Sequence, residues 1–243
     1  MKITPLLFRT DMVKALLDGR KTMTRRIVKC DHKITDIGTP DDWNNGRAHP
    51  NMKRFEDWGD KHGYHLFNIS SGSTIAMQCQ HGQKGDLIWV KERWAHDAPT
   101  DDDARRSVES DGMNGGVYYY ADCNEFDRVS LKWKSSRYMF KWASRITLKI
   151  TDVRVERLQE ITEDDSLKEG IDMESDYASL CINIESAPYP SDLERGSAAI
   201  TVFKKLWDSI NRKKYPWSSN PWVWVISFDV IQQNVLEVIN REK

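Results

Sequence analysis

Residues Arg20-Lys21-Thr22-Met23-Thr24-Arg25-Arg26 place four cations and two hydroxyls in seven consecutive positions. Such a cluster can hold phosphate oxygens, or it can activate a hydroxyl and stabilise an oxyanion, provided that a rigid element places it. The residues just before it supply that element. Thr10 reads as an N-cap, Asp11 sits in the first turn, and Met12, Val13, Leu16 and Leu17 form an apolar stripe at helical spacing. Gly19 suits the left-handed position that ends a helix.

The chain has 243 residues, 39% of them hydrophobic, which is enough for a folded core. Its formal net charge is −1, so any nucleic-acid contact must come from a local patch. Four cysteines (Cys30, Cys79, Cys123, Cys181) in a chain of this length do not read as a disulfide scaffold. No signal peptide opens the sequence, and no apolar run approaches the ~20 residues a membrane helix needs. The expectation is a soluble cytoplasmic protein that makes no membrane contact. Ten tryptophans could stack on bases, but Trp89, Trp207, Trp222 and Trp224 lie in apolar-periodic segments and read as core.

Along the chain, residues 3–8 are a short apolar start before the helix. Residues 30–82 are rich in Asp, Asn, Gly, His and Ser, lose apolar periodicity, and read as a loop-rich insertion. Leu87-Ile88-Trp89-Val90 reads as a buried strand, and Val117 to Ala121 as another. Residues 97–116 and 172–191 read as surface loops. Over 145–157, Ile146, Leu148 and Ile150 alternate, and Val153 and Val155 then alternate in the opposite phase, which predicts a long strand with a bulge at Thr151-Asp152. Thr162 opens a short helix with Asp165 three positions on, and this helix stops at Gly170. A longer helix starts at Ser191 or Asp192 with Ile200, Phe203, Leu206, Trp207 and Ile210 on its apolar face. A final strand runs from Trp222 to Val230. Short strands outnumber helices, which argues for an α+β fold, a small mixed β-barrel or curled sheet with helices covering its ends.

Three segments together resemble the ASCH family, a branch of the PUA-like superfold of small β-barrels. They are Gly19 to Arg26, Gly85 to Glu92, and the strand 145–157 with the helix from Thr162 to Ile171. The chain looks closest to the larger, phage- and prophage-type members. The resemblance implies a single ASCH/PUA-like domain over 1–243, with 30–82 as an insertion outside the shared core. The best-understood enzymes of that family are bacterial N4-acetylcytidine amidohydrolases, which carry a similar Gly-Arg-Lys-Thr-x-Thr-x-Arg turn. Gly19, Arg20, Lys21, Thr22, Thr24 and Arg26 match it position by position. The resemblance implies a catalytic set of Lys21, Thr24 and Glu169, and it calls for no cofactor.

That set fits amide hydrolysis. Thr24 would be the nucleophile. Lys21 could be its base once burial and the neighbouring Arg20 and Arg26 disfavour the ammonium. Glu169 would orient Lys21 or relay a proton to the leaving amine. Arg20 and Arg26 are candidates to hold a phosphate or polarise the acetyl carbonyl. Trp94 and Tyr120 are candidates to stack on a base, and Glu92 to read an amino edge. Two other classes stay open. One is a non-catalytic module binding RNA, DNA or a modified base, extended by Arg212-Lys213-Lys214-Tyr215-Pro216-Trp217. The other is a ribonuclease in which Lys21 and Arg26 stabilise a phosphorane. Cys30, His32, Cys79 and His81 form two Cys-x-His pairs that bracket the insertion and could hold zinc. Their spacing is tighter than common zinc knuckles, so free cysteines and exposed histidines are the better reading.

Overall fold

A computed structural model describes residues 1–39, 63–111, 116–173 and 198–241. In chain order the elements are β1 (Ile3–Leu7), α1 (Thr10–Leu17), β2 (Met23–Ile27), β3 (Ile34–Ile37), β4 (Tyr64–Ile69), β5 (Thr74–Gln78), β6 (Leu87–Lys91) and β7 (Trp94–His96). There follow α2 (Asp101–Asp111), β8 (Val117–Tyr119), α3 (Glu125–Ser130), β9 (Thr147–Arg157), α4 (Glu163–Lys168), α5 (Ala198–Asn211), β10 (Trp222–Ile231) and α6 (Val235–Arg241). The fold is α+β. The described strands form open sheets, and none closes into a barrel.

The chain divides into two compact units. One comprises Met1–Thr22, Gly85–Ile150 and Phe228–Lys243, and the other Met23–Lys84 and Thr151–Ser227. In the first unit β1 runs parallel to β6, with Ile3 opposite Leu87 and Leu7 opposite Lys91. The start of β9 pairs antiparallel to β6, Trp89 facing Thr147. A parallel pair needs a crossover, and α1 lies on it. Its Met12, Val13, Ala15 and Leu16 are buried. Val235 and Val238 of α6 pack on Leu87 and Trp89. Asn234 anchors that helix: its side-chain amide donates to the carbonyls of Lys141 and Trp142, both at 3.0 Å, and its oxygen accepts from the Leu236 amide at 2.8 Å. The β7–β8 hairpin pairs Trp94 with Tyr119 and builds a second core with Val117, Met139 and Ala143.

In the second unit β10 pairs antiparallel to β2, from Val223 opposite Ile27 to Ser227 opposite Met23. Helix α5 covers one side through Val202, Phe203 and Trp207, joined by Leu158 and Ile161 from the turn that precedes α4. A separate antiparallel sheet, β3-β4-β5, sets Phe67 and His65 edge-on to Trp224 at 5.7 and 5.1 Å.

Several expectations change. The stretch 30–82 is not loop-rich throughout, because it carries β3, β4 and β5. Consecutive burial of Leu66 and Phe67 hides the period-2 pattern there. Residues 97–116 contain α2. Its first turn holds Asp101, Asp102 and Asp103, and the Thr100 hydroxyl accepts from the Asp103 amide at 3.1 Å. This is a helix start that acidic composition disguised as loop. Arg9, not Thr10, occupies the N-cap of α1, without a side-chain cap. Ile210 is more than half exposed, beyond the packed face of α5. Helix α6 follows a strand that was expected to end the fold. The expected loop 172–191 and the start of α5 fall mainly on 174–197, outside the described residues.

Other expectations hold. Gly19 has φ +74°, Gly170 closes α4 with φ +92°, and the Thr162 hydroxyl accepts from the Asp165 amide at 3.1 Å. Trp89, Trp207, Trp222 and Trp224 are all buried. Thr162→Ala removes the α4 cap and should cost ~1 kcal/mol. Phe203→Ala empties a core site and should cost ~3–5 kcal/mol. Urea unfolding checks both, and the ordering of the two losses is the discriminating result.

Candidate functional site

Pairing with β10 turns the basic cluster into a strand from Met23 onward, and alternation then sorts its side chains. Thr24 and Arg26 share a face with their partners Ile226 and Trp224. Met23, Arg25 and Ile27 take the other, with Val225 and Val223. Arg25 therefore points into the core under α4 and α5. Its guanidinium has no exposed side-chain surface and lies 6.0 Å from the Phe203 ring centroid. Burying an unpaired cation there would be prohibitive, and three carboxylates meet it. Nη2 donates to Asp165 at 2.6 Å and to Glu156 at 3.1 Å, and Nη1 lies 3.5 Å from Glu169. Arg154 donates to the same Asp165 oxygen at 2.7 Å and pairs with Glu156.

Glu169 owes its place to α4. The Thr162 cap fixes where the helix begins, and the Glu169 amide closes its last turn on the Asp165 carbonyl at 3.0 Å. Its side chain is buried. Arg26 is half-buried, and loss of water lowers its pKa while the charge of Glu169 pulls the other way. Glu169 thus acts electrostatically on both arginines of β2. Thr24 is 2% exposed.

In the other unit Lys21 is also 2% exposed. Its amide donates to the Ala15 carbonyl at 3.0 Å, and its ammonium lies 5.9 Å from the Phe8 ring centroid. Arg20 is at the surface and pairs with Asp18 at 3.0 Å. Glu92 is buried, and both of its oxygens accept from Arg145, at 3.0 and 3.1 Å. Arg145 also binds Asp122 and lies 4.0 Å from the Tyr119 ring centroid. Desolvation raises the pKa of Glu92 against the pull of Arg145, and raises that of Tyr119 as well. Trp94 is fully buried, edge-on to Phe140 and Trp142, so its indole is core. Tyr120 is half-buried and lines a cavity of about 830 Å³.

Cys30 and His32 touch each other through the His32 amide and the Cys30 sulfur at 3.4 Å. Among the described residues no three His, Cys, Asp or Glu side chains converge as metal ligands, and no helix is long and apolar enough to cross a membrane. Compared with family models, curated proteins and solved structures, the chain matches none.

The residue that sequence reasoning left without a role is Arg25. The alternation that buries it follows only from pairing with β10, although the strand propensity of Met23 to Ile27 was a usable signal. Arg25→Met leaves three carboxylates without their central cation and should cost ~3–5 kcal/mol in urea unfolding. Arg154→Ala should cost less, since Arg154 is about one-third exposed (35%). Glu92 supplies a pH test. A carboxyl whose folded pKa is raised contributes stability that is present below the ordinary glutamate range and lost as pH rises through the folded value. Glu92→Gln should therefore flatten the pH dependence of the unfolding free energy above the ordinary glutamate range.

Proposed function

We propose that the chain is an amidohydrolase that removes the acyl group from N4-acetylcytidine or a related acylated cytosine nucleoside. The observation that carries this reading is burial. Lys21, Thr24 and Glu169, the three residues named by the resemblance, are among the ten buried polar or charged side chains of the described residues. A basic turn on a solvated surface would leave them in water. Burial of a lysine is costly, and it disfavours the ammonium, which is what a lysine base needs.

In this reading Thr24 attacks the acetyl carbonyl and Lys21 takes its proton. The tetrahedral intermediate collapses, the C–N bond breaks, and Glu169 relays a proton to the departing N4 amine. Water then hydrolyses the acetyl-threonine, releasing acetate and restoring the hydroxyl. Arg26 is a candidate for the oxyanion. A PUA-like fold and a cytoplasmic setting belong to the same proposal.

A second reading is a module that binds RNA or DNA without turnover. It draws on Arg212, Lys213 and Lys214, which are exposed beside Tyr215 and Trp217. Salt-dependent binding without product separates it from the first.

Incubation with N4-acetylcytidine and with acetylated RNA, followed by cytidine release, tests the hydrolase. Lys21→Ala and Thr24→Ala should each lose at least ~100-fold in kcat/KM, and Thr24→Ser should retain part of it. Absence of turnover by wild type on both substrates overturns the hydrolase.

A further inference from the structure

The cavity beside Tyr120 has a composition that the hydrolase does not use. It lies wholly within the first unit, and its volume of about 830 Å³ is that of a small-ligand site. Four cations line it: Arg9 and Lys14 from α1 and its N-cap, Arg93 between β6 and β7, and Arg128 from α3. Among the described residues one carboxylate lines it, Asp11, and that one is 3.5 Å from Arg9. Among the described residues no carboxylate pairs with Lys14, Arg93 or Arg128.

The two central arginines converge on one ring. The Arg93 guanidinium lies 4.1 Å and that of Arg128 4.5 Å from the Tyr120 centroid. Trp133 stands edge-on to Tyr120 at 5.0 Å, and its indole N–H donates to the Arg128 carbonyl at 2.8 Å, which fixes the pair. Arg128 Nε is buried and has no hydrogen-bond partner among the described residues. Like charges held together without an acid between them repel, and cation–π contact offsets only part of that. The Arg145 cluster of the same unit shows the contrast, since there one guanidinium meets two carboxylates.

We infer that this cavity is a binding site for a nucleotide, whose phosphate is held by Arg93, Arg128 and Lys14 and whose base packs against Tyr120 and Trp133. A planar base and a phosphate are the two groups that aromatic rings and forked guanidinium donors accept together. The same chemistry is offered by a free mononucleotide and by one residue of a single strand. The site does not depend on Lys21, Thr24 or Glu169.

Calorimetric titration of the full chain with adenosine 5′-monophosphate, adenosine, inorganic phosphate and a single-stranded oligoadenylate tests this. The monophosphate should bind at least ~10-fold more tightly than adenosine or phosphate alone. Arg93→Ala, Arg128→Ala and Tyr120→Leu should each weaken it on the order of 10-fold. Arg93→Lys keeps the charge and loses the planar fork, so it should fall between wild type and Arg93→Ala. Thr24→Ala should bind as wild type does, which separates this site from the hydrolase. An oligonucleotide that binds more tightly than the monophosphate, with affinity falling steeply in salt, identifies a strand as the source; equal affinities identify the free nucleotide. The inference is overturned if phosphate binds as tightly as the monophosphate. It is equally overturned if neither nucleotide form binds at millimolar concentration, or if an Arg93→Ala/Arg128→Ala double variant with wild-type circular dichroism binds undiminished.

Discussion

A guanidinium with no exposed surface sets the terms for the second unit. Arg25 on β2 needs anions, and the anions come from β9 and from α4 with its C-cap: Glu156, Asp165 and Glu169. A two-residue slip, the smallest that keeps the strand's faces, would present Met23 or Ile27 to those carboxylates. The helix cannot shift a turn without removing Asp165 from both Arg25 and Arg154. Such a network is weak evidence for net stability, because desolvating the charges costs about as much as their attraction returns. Its consequence is positional. It fixes where α4 ends, and hence where Glu169 stands.

The first unit handles charge in two opposite ways. Around Arg145 the account is closed, with Glu92 and Asp122 on the guanidinium and Tyr119 against its face. Burial raises the pKa of Glu92 even so, because water lost from a carboxylate is only partly replaced by one guanidinium. Around Tyr120, among the described residues, no carboxylate pairs with Arg93 or Arg128, and aromatic rings stand against both guanidinium groups. The first arrangement holds a hairpin on its core. The second leaves attraction unspent, which is a property of binding sites rather than of scaffolds.

How much of this was legible in the sequence depends on how far each feature is a property of one segment. The apolar runs of β6, β9 and β10 and the helical stripes of α1 and, apart from Ile210, of α5 are local, and they read correctly. So does the Thr162–Asp165 cap. The strands β3 to β5 were hidden because their residues alternate poorly with burial and stand in polar surroundings. The cluster from Arg20 to Arg26 was legible as chemistry but not as geometry. Its four cations look equivalent until β10 pairs with β2, and then Arg25 is core, Arg26 half-buried and Arg20 surface. The cavity was less legible still. Its cations come from positions 9, 14, 93 and 128, so no spacing in the chain announces them, and of its lining residues only Tyr120 was marked as a ligand contact.

Net charge explains why this local surplus matters. With 36 basic and 37 acidic residues, the chain has almost no field at long range. At physiological salt, screening ends most surface effects within ~8 Å. A phosphate is therefore not steered from afar by this protein. It is recognised only on contact, where the donors of Arg93 and Arg128 converge and the ring of Tyr120 replaces water. Recognition of that kind favours groups of defined shape over bulk polyanion, since each retained contact needs a planar face and an oxygen at fixed separation. The composition that argues against a general nucleic-acid coat is thus compatible with a selective nucleotide site, and the difference between the two lies in where Arg93 and Arg128 converge.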